Sequence, residues 1–117
     1  KYYAGISYLN LGRYDDAIEY LNSYSPSGHV TPITKHGALG DAYSEKGEID
    51  KAMSAYSKAT TAAKNDFLAP YYLNKLAILR KQQGDTEGAR DAFQKIKDLY
   101  PNSTEGQNID KYLSALQ

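Results

Sequence analysis

Ser44-Glu45-Lys46-Gly47-Glu48-Ile49-Asp50-Lys51-Ala52 decides how this chain reads, because related phrases stand on both sides of it. Upstream the sequence runs Asn10-Leu11-Gly12-Arg13-Tyr14-Asp15-Asp16-Ala17, and downstream Gln82-Gln83-Gly84-Asp85-Thr86-Glu87-Gly88-Ala89. In each copy a Gly closes one amphipathic helical pattern, an acidic residue follows, and an Ala stands in the next helix. Gly12, Gly47 and Gly84 are separated by 35 and 37 residues, and Ala17, Ala52 and Ala89 keep the same two intervals. A period of this length marks stacked helical repeats, in which each helix pair buries its apolar face only against its neighbours. The expected fold class is all-α, an α-solenoid.

At 117 residues, with no break in composition, one domain is expected over residues 1–117. Its 14 Lys and Arg balance 14 Asp and Glu, so the long-range field that steers proteins to nucleic acid or anionic lipid is weak. The absence of Cys removes disulfides, thiolate zinc sites and Cys nucleophiles. No apolar run reaches the roughly 18 residues that a spanning helix needs, so no direct membrane insertion is expected of this stretch. Lys1-Tyr2-Tyr3-Ala4-Gly5 enters a helical pattern without Met or N-cap, and the expectation is a fragment whose upstream segment has been removed.

Taken in order, a first helix spans roughly residues 1–11 and Gly12 stops it. A second runs from Tyr14 to about Tyr24, with Ala17, Ile18 and Leu21 on one face. Thr31-Pro32 starts the next, since Thr can cap and Pro loses no hydrogen bond in a first turn. That helix reaches about Lys46 with Leu39, Gly40 and Tyr43 inward, Gly40 allowing close approach. Its partner begins near Ile49 and carries Ala52, Met53, Tyr56 and Ala59, with Ala55 nearer the surface. Pro70 opens a helix to Gln83 with Tyr72, Leu73, Leu76, Ala77 and Leu79 inward. Asp85 caps the following one, with Ala89, Phe93, Ile96 and Leu99 inward, and Tyr100-Pro101 ends it. Residues 104–116, with Ile109, Tyr112, Leu113 and Leu116, are expected as a single capping helix, which a solenoid's last repeat requires.

These residues carry a resemblance to tetratricopeptide repeats. Ala4, Gly5, Tyr8, Ala17, Leu21 and Tyr24 match a first copy, and His36, Leu39, Gly40, Tyr43, Ala52, Tyr56 and Ala59 a second. Leu73, Leu76, Ala77, Arg80, Ala89, Phe93, Ile96 and Pro101 match a third, with Arg80 where the family has an aromatic. The resemblance implies a right-handed superhelical array of three helix pairs, with repeats at about 1–30, 31–68 and 69–102, plus the capping helix. Leu99-Tyr100-Pro101-Asn102-Ser103 resembles an ending common in bacterial cell-envelope members, and the chain is similar to the repeat part of the membrane-tethered YfgM-like group. That implies a cell-envelope location through a missing N-terminal anchor, with the cytoplasm as the other option. The subclass that clamps a terminal carboxylate needs Lys and Asn where this chain has Tyr2 and Ile6, and again Tyr71 and Lys75, so the clamp is not expected.

The resemblance also implies that the first helix of each pair lines a concave groove. Projected onto it are Tyr2, Ile6, Leu9 and Asn10, then Thr34, Asp41, Ser44 and Glu45, then Tyr71, Asn74, Ile78, Lys81 and Gln82. The apolar members are surplus to the helix-pair core, which points to anchoring of a protein or peptide partner or, for Tyr2, Ile6 and Leu9, to contact with missing neighbours. The alternative is a structural spacer that forms homo-oligomers through its open N-terminal face.

Twelve tyrosines suggest a stacking platform, but Tyr8, Tyr14, Tyr24, Tyr43, Tyr56 and Tyr112 sit at core spacing and lack basic interleaving, so nucleic acid is not an expected partner. His29 and His36 have no carboxylate at ligand spacing on the same helix, so no metal is expected. There is no Gly-x-Ser-x-Gly elbow, and Asp15, Asp16, Glu45, Glu48 and Asp50 lie near helix starts, where capping accounts for them. Neither catalysis nor a cofactor is expected.

Overall fold

The structure, a computed structural model, describes residues 13–23, 31–62 and 65–116. Every regular element among the described residues is helical. Two compact units make up the chain, Lys1–Ala63 and Lys64–Gln117. The helix expected over residues 1–11, with Gly12 and Tyr24, lies outside the described residues.

The first unit contains α1 (Tyr14–Ser23), α2 (Thr31–Glu45) and α3 (Ile49–Ala62), with α2 packed against both others. Asp15 and Asp16 occupy the first turn of α1, where carboxylates meet the positive end of the helix. Ala17 and Leu21, four apart, are its buried residues. The tightest contact lies between α2 and α3. A Cβ added to Gly40 would come 2.5 Å from Cδ1 and Cε1 of Tyr56, so the ring lies directly on the α2 backbone. The Tyr56 hydroxyl donates to the carboxylate of Asp41, one residue further on. Ala52 and Ala59 are fully buried on the same side of α3. The expectation for Ala55 needs correction: it is 6% exposed, because it shares one core cluster with Leu21 of α1 and with Ala38 and Leu39 of α2.

The turns at Gly47 and Gly84 have one construction. Gly47 and Gly84 adopt φ of 82° and 81°, the left-handed region in which a side chain would be strained. Gly47 N–H donates to Ser44 O at 3.0 Å and Glu48 N–H to Tyr43 O at 2.9 Å. Gly84 N–H donates to Lys81 O at 3.0 Å and Asp85 N–H to Arg80 O at 2.8 Å. These paired bonds satisfy carbonyls that a helix end leaves open and turn the chain straight into the next helix.

The second unit contains α4 (Leu68–Gln82), α5 (Thr86–Leu99), α6 (Thr104–Gln107) and α7 (Ile109–Ser114). Asn65 Oδ1 accepts from the N–H groups of Phe67 at 3.0 Å and Leu68 at 2.8 Å, which fixes the entry to α4. Asp85 caps α5 by accepting from Gly88 N–H at 2.9 Å, and Ser103 caps α6 by accepting from Gly106 N–H at 2.9 Å. Arg80 has a structural use: its guanidinium donates to Gly88 O at 3.1 Å and ties the end of α4 to the start of α5. Leu73, Ala77, Ala92, Phe93, Ile96 and Ile109 form the core, with Tyr100, Tyr112, Leu113 and Leu116 packed on it.

Two expectations fail here. Residues 104–116 form two short helices, not one. The Asn108 side chain donates to Thr104 O at 3.2 Å, taking the acceptor its own backbone would use, and its N–H turns to Glu105 O instead. Leu99 is 65% exposed, because the buried stripe runs Ala89, Ala92, Phe93, Ile96 and on to Tyr100. At position 99 the helix has rotated past that stripe.

Gly40→Ala should lower the stability of the protein by about 1 to 3 kcal/mol, since the Tyr56 ring must leave the α2 backbone. Urea denaturation followed by circular dichroism checks this; an unchanged midpoint would mean that the ring has room to move.

Candidate functional site

Of the projected groove residues, Tyr2, Ile6, Leu9 and Asn10 lie outside the described residues. Thr34, Asp41, Ser44 and Glu45 belong to α2 in the first unit. Asp41 is held by the Tyr56 hydroxyl, Ser44 O accepts from the Gly47 turn, and Glu45 is exposed. This face of α2 is therefore polar and partly committed to holding the helix pair.

The face of α4 in the second unit is different. Tyr71, Asn74, Ile78, Lys81 and Gln82 follow one another at 3, 4 and 3 to 4 residue steps and so share one side of the helix. The opposite side buries Ala69, Tyr72, Leu73, Leu76, Ala77 and Leu79. Tyr71 and Ile78 are each 42% exposed, with Asn74 half-buried between them. Tyr71 is nevertheless held in place. Its ring meets Tyr72 edge-on at 5.1 Å between centroids, and Lys75 Nζ stands 4.8 Å from its centroid. Its orientation is thus set before any partner arrives.

Beside Tyr71 lies a feature that the sequence reading did not foresee. Phe67 and Leu99 are 81% and 65% exposed and, with Tyr71, Tyr100 and Pro101, line a cleft of about 580 Å3. Asp66 and Glu105 contribute its carboxylates. Phe67 is itself the N-cap residue of α4, two positions after Asn65, whose side chain accepts from the Phe67 N–H. A large apolar residue in that position, flanked by Asp66, was the available signal for it.

Among the described residues no group of three or more His, Asp or Glu is placed to hold a metal ion. His36 is half-buried, and its pKa is lowered by burial first and then by the charges of Lys35 and Lys58. Lys46 is raised, chiefly by its hydrogen bond to Asp15. No described helix is long and apolar enough to cross a membrane.

The repeated turn, the close helix crossing and the stepwise packing agree with what family comparison finds. Tetratricopeptide-repeat models match residues 1–25 and 73–103, and another version of the same repeat matches residues 36–66. The chain belongs to the tetratricopeptide-repeat family. Tetratricopeptide repeat protein 37 of Xenopus laevis is 30% identical to it over 104 residues, which is 86% of this chain and 6% of that protein. This tetratricopeptide-repeat chain thus spans only a small part of that relative. Among solved structures it is similar to PcrH in complex with the chaperone binding region of PopD, with a TM-score of 0.76 and 20% identity over 98% of this chain and 86% of that one. PcrH in complex with the chaperone binding region of PopB gives a TM-score of 0.72 and 18% identity, covering 99% and 90%. At that identity the likeness establishes a shared helical-repeat fold.

Exposure and packing separate the side chains available to a partner from those that hold the unit together. Phe67→Ser and Leu99→Ser should each change stability by no more than about 0.5 kcal/mol. Phe93→Ala, in the core, should cost about 3 to 5 kcal/mol. Urea titrations of the three variants test the division, and a large loss from either exposed site would contradict it.

Proposed function

We propose that this tetratricopeptide-repeat chain is a noncatalytic interaction module that captures an extended segment of a partner protein. The observation that carries the reading is the pair Tyr71 and Ile78, two large apolar side chains left exposed on a helix whose buried stripe is already complete. Seven residues of helix place them about 10 Å apart along the axis. In a polyproline-II-like segment, side chains three residues apart face the same way at about 9 Å, so such a segment can offer one anchor to each. Asn74 between them can supply a hydrogen bond to the segment's backbone, and Lys81 and Gln82 can set its direction. PcrH, a protein of similar fold, is found in complex with the chaperone binding regions of PopD and PopB, which supports a protein segment as the partner here.

In the same proposal, the polar α2 residues Asp41, Ser44 and Glu45 contribute specificity more than affinity. A cell-envelope location is also part of it, supported only by the resemblance of Leu99-Tyr100-Pro101-Asn102-Ser103. The self-assembling spacer reading depends on Tyr2, Ile6 and Leu9, outside the described residues, and no observation favours it.

Substituting Tyr71→Ser together with Ile78→Ser should leave helicity nearly unchanged and weaken partner capture by about 2 kcal/mol or more, roughly 30-fold in affinity. Quantitative pull-down from source-cell extract, with circular dichroism as the folding control, reads both effects. Recovery of the same proteins in the same amounts by the double variant would remove the basis for the proposal.

A further inference from the structure

The cleft of about 580 Å3 beside Tyr71 lies wholly in the second unit, and both of its walls are fixed by hydrogen bonds. One wall is the entry to α4, where Phe67 and Tyr71 stand about one helical turn apart and Asn65 Oδ1 holds the N–H groups of Phe67 and Leu68. The other runs from Leu99 through the turn into α6. There Ser103 Oγ donates to Tyr100 O at 2.7 Å and accepts from Gly106 N–H at 2.9 Å, and a Cβ at Gly106 would strike the carbonyl oxygens of Tyr100 and Pro101. The turn is thus pinned against α6, and the shape of the cleft is set before it is filled. Its volume falls in the range of ordinary binding sites, roughly 300 to 1,000 Å3.

Two kinds of group line it. Phe67 and Leu99, the most exposed of the large apolar side chains, offer surface that an occupant would remove from water. Asp66, beside Phe67, and Glu105, half-buried in the first turn of α6, bring negative charge to the two walls. An occupant that covers Phe67 and Leu99 also withdraws these carboxylates from water, a cost that a positive charge on the occupant offsets and a neutral or acidic one does not. An Arg or Lys side chain meets both demands, since its methylene stem lies along apolar surface while its head reaches a carboxylate. Arg suits the site better, because its planar fork matches a carboxylate. Lys75 already stands 4.8 Å from the Tyr71 ring centroid, which directs an incoming cation to Asp66 and Glu105 instead of to that ring.

We propose that this cleft receives a basic residue and a neighbouring large apolar residue of the partner segment, the apolar side chain between Phe67 and Leu99 and the Arg or Lys head at Asp66 and Glu105. The proposal rests on the reading of Tyr71 and Ile78 as anchors, because Tyr71 belongs to both surfaces and a segment laid along α4 from Ile78 passes Tyr71 into the cleft. The same carboxylates repel the phosphates of an anionic bilayer, so the exposed ring of Phe67 suits a basic polypeptide better than a lipid surface.

The test uses the isotopically labelled full chain and short synthetic proline-rich peptides with a leucine near each end and Phe-Arg, Phe-Gln or Phe-Glu at the centre. Binding is read from the backbone amide shifts of Phe67, Leu99 and Ser103. The Phe-Arg peptide should bind at least about threefold more tightly than the Phe-Gln peptide, as expected of exposed ion pairs, and the Phe-Glu peptide should bind most weakly. Added salt should shrink the advantage of Phe-Arg. Asp66→Asn with Glu105→Gln should erase that advantage with unchanged circular dichroism, and Phe67→Ser with Leu99→Ser should weaken all three peptides. Equal binding of the three peptides, an unchanged preference in the Asp66→Asn/Glu105→Gln variant, or amide shifts confined to other parts of the chain would overturn the proposal. So would shifts at the same amides on raising protein concentration alone, which would seat a second copy in the cleft, or tighter association with phosphatidylserine vesicles than with the Phe-Arg peptide. Ile78→Ser separates the two readings, since Ile78 lies on α4 away from the cleft. Loss of affinity in that variant without any Arg preference would strike the cleft and spare the α4 anchors, whereas an Arg preference that survives with undiminished affinity would strike the anchors and support the cleft.

Discussion

The seating of the Tyr56 ring on the α2 backbone at Gly40 is the constraint from which the first unit follows. With no Cβ at position 40, α3 approaches closely enough for its alanines to be sealed, and the ring's hydroxyl reaches Asp41 at the rim. Small residues at a crossing convert helix spacing into dispersion contact, and added volume there has no unstrained place to go. The second unit reaches a related result with Ala77 and Ala92 beside Phe93, and with the Arg80 guanidinium tying the ends of α4 and α5 together.

Close crossings have a consequence for function. A helix that meets its partner along one stripe needs only part of its circumference for the core, and the remainder faces outward. On α4 that remainder carries Tyr71 and Ile78; on α2 it carries Ser44 and Glu45, while Asp41 is held by the Tyr56 hydroxyl. The first set suits apolar anchoring and the second suits polar selection. Neither requires a moving part. Tyr71 is braced by Tyr72 and Lys75, which under the proposed function lowers the ordering entropy lost on binding.

Helix ends were legible in the sequence because they are set locally. Gly47 and Gly84 mark left-handed turns, Asp85 is a side-chain cap, and Pro70 falls in a first turn; each acts within a few residues of itself. Faces were less legible. Ala55 carries little hydrophobic signal, and only its place in the cluster with Leu21, Ala38 and Leu39 shows that it is buried. Leu99 sits one position off a stripe that continues to Tyr100, and a single step is a 100° rotation. The break at Asn108 arises from competition between a side chain and its own backbone, which helical periodicity does not register. The exposure of Tyr71 and Ile78 was readable, because the inward stripe of α4 could be counted complete without them. Phe67 stands outside any periodic segment, so periodicity does not mark it.

Site-specific photo-crosslinking tests the central claim most directly. A benzophenone amino acid placed at position 78, on the exposed apolar face of α4, is compared with the same group at position 91, an exposed polar site on α5. The account predicts that position 78 yields discrete adducts whose crosslinked peptides map to one extended segment of a partner, and that position 91 yields none of them. Adducts formed equally from both positions, or adducts from position 78 that consist only of this chain joined to itself, would contradict it.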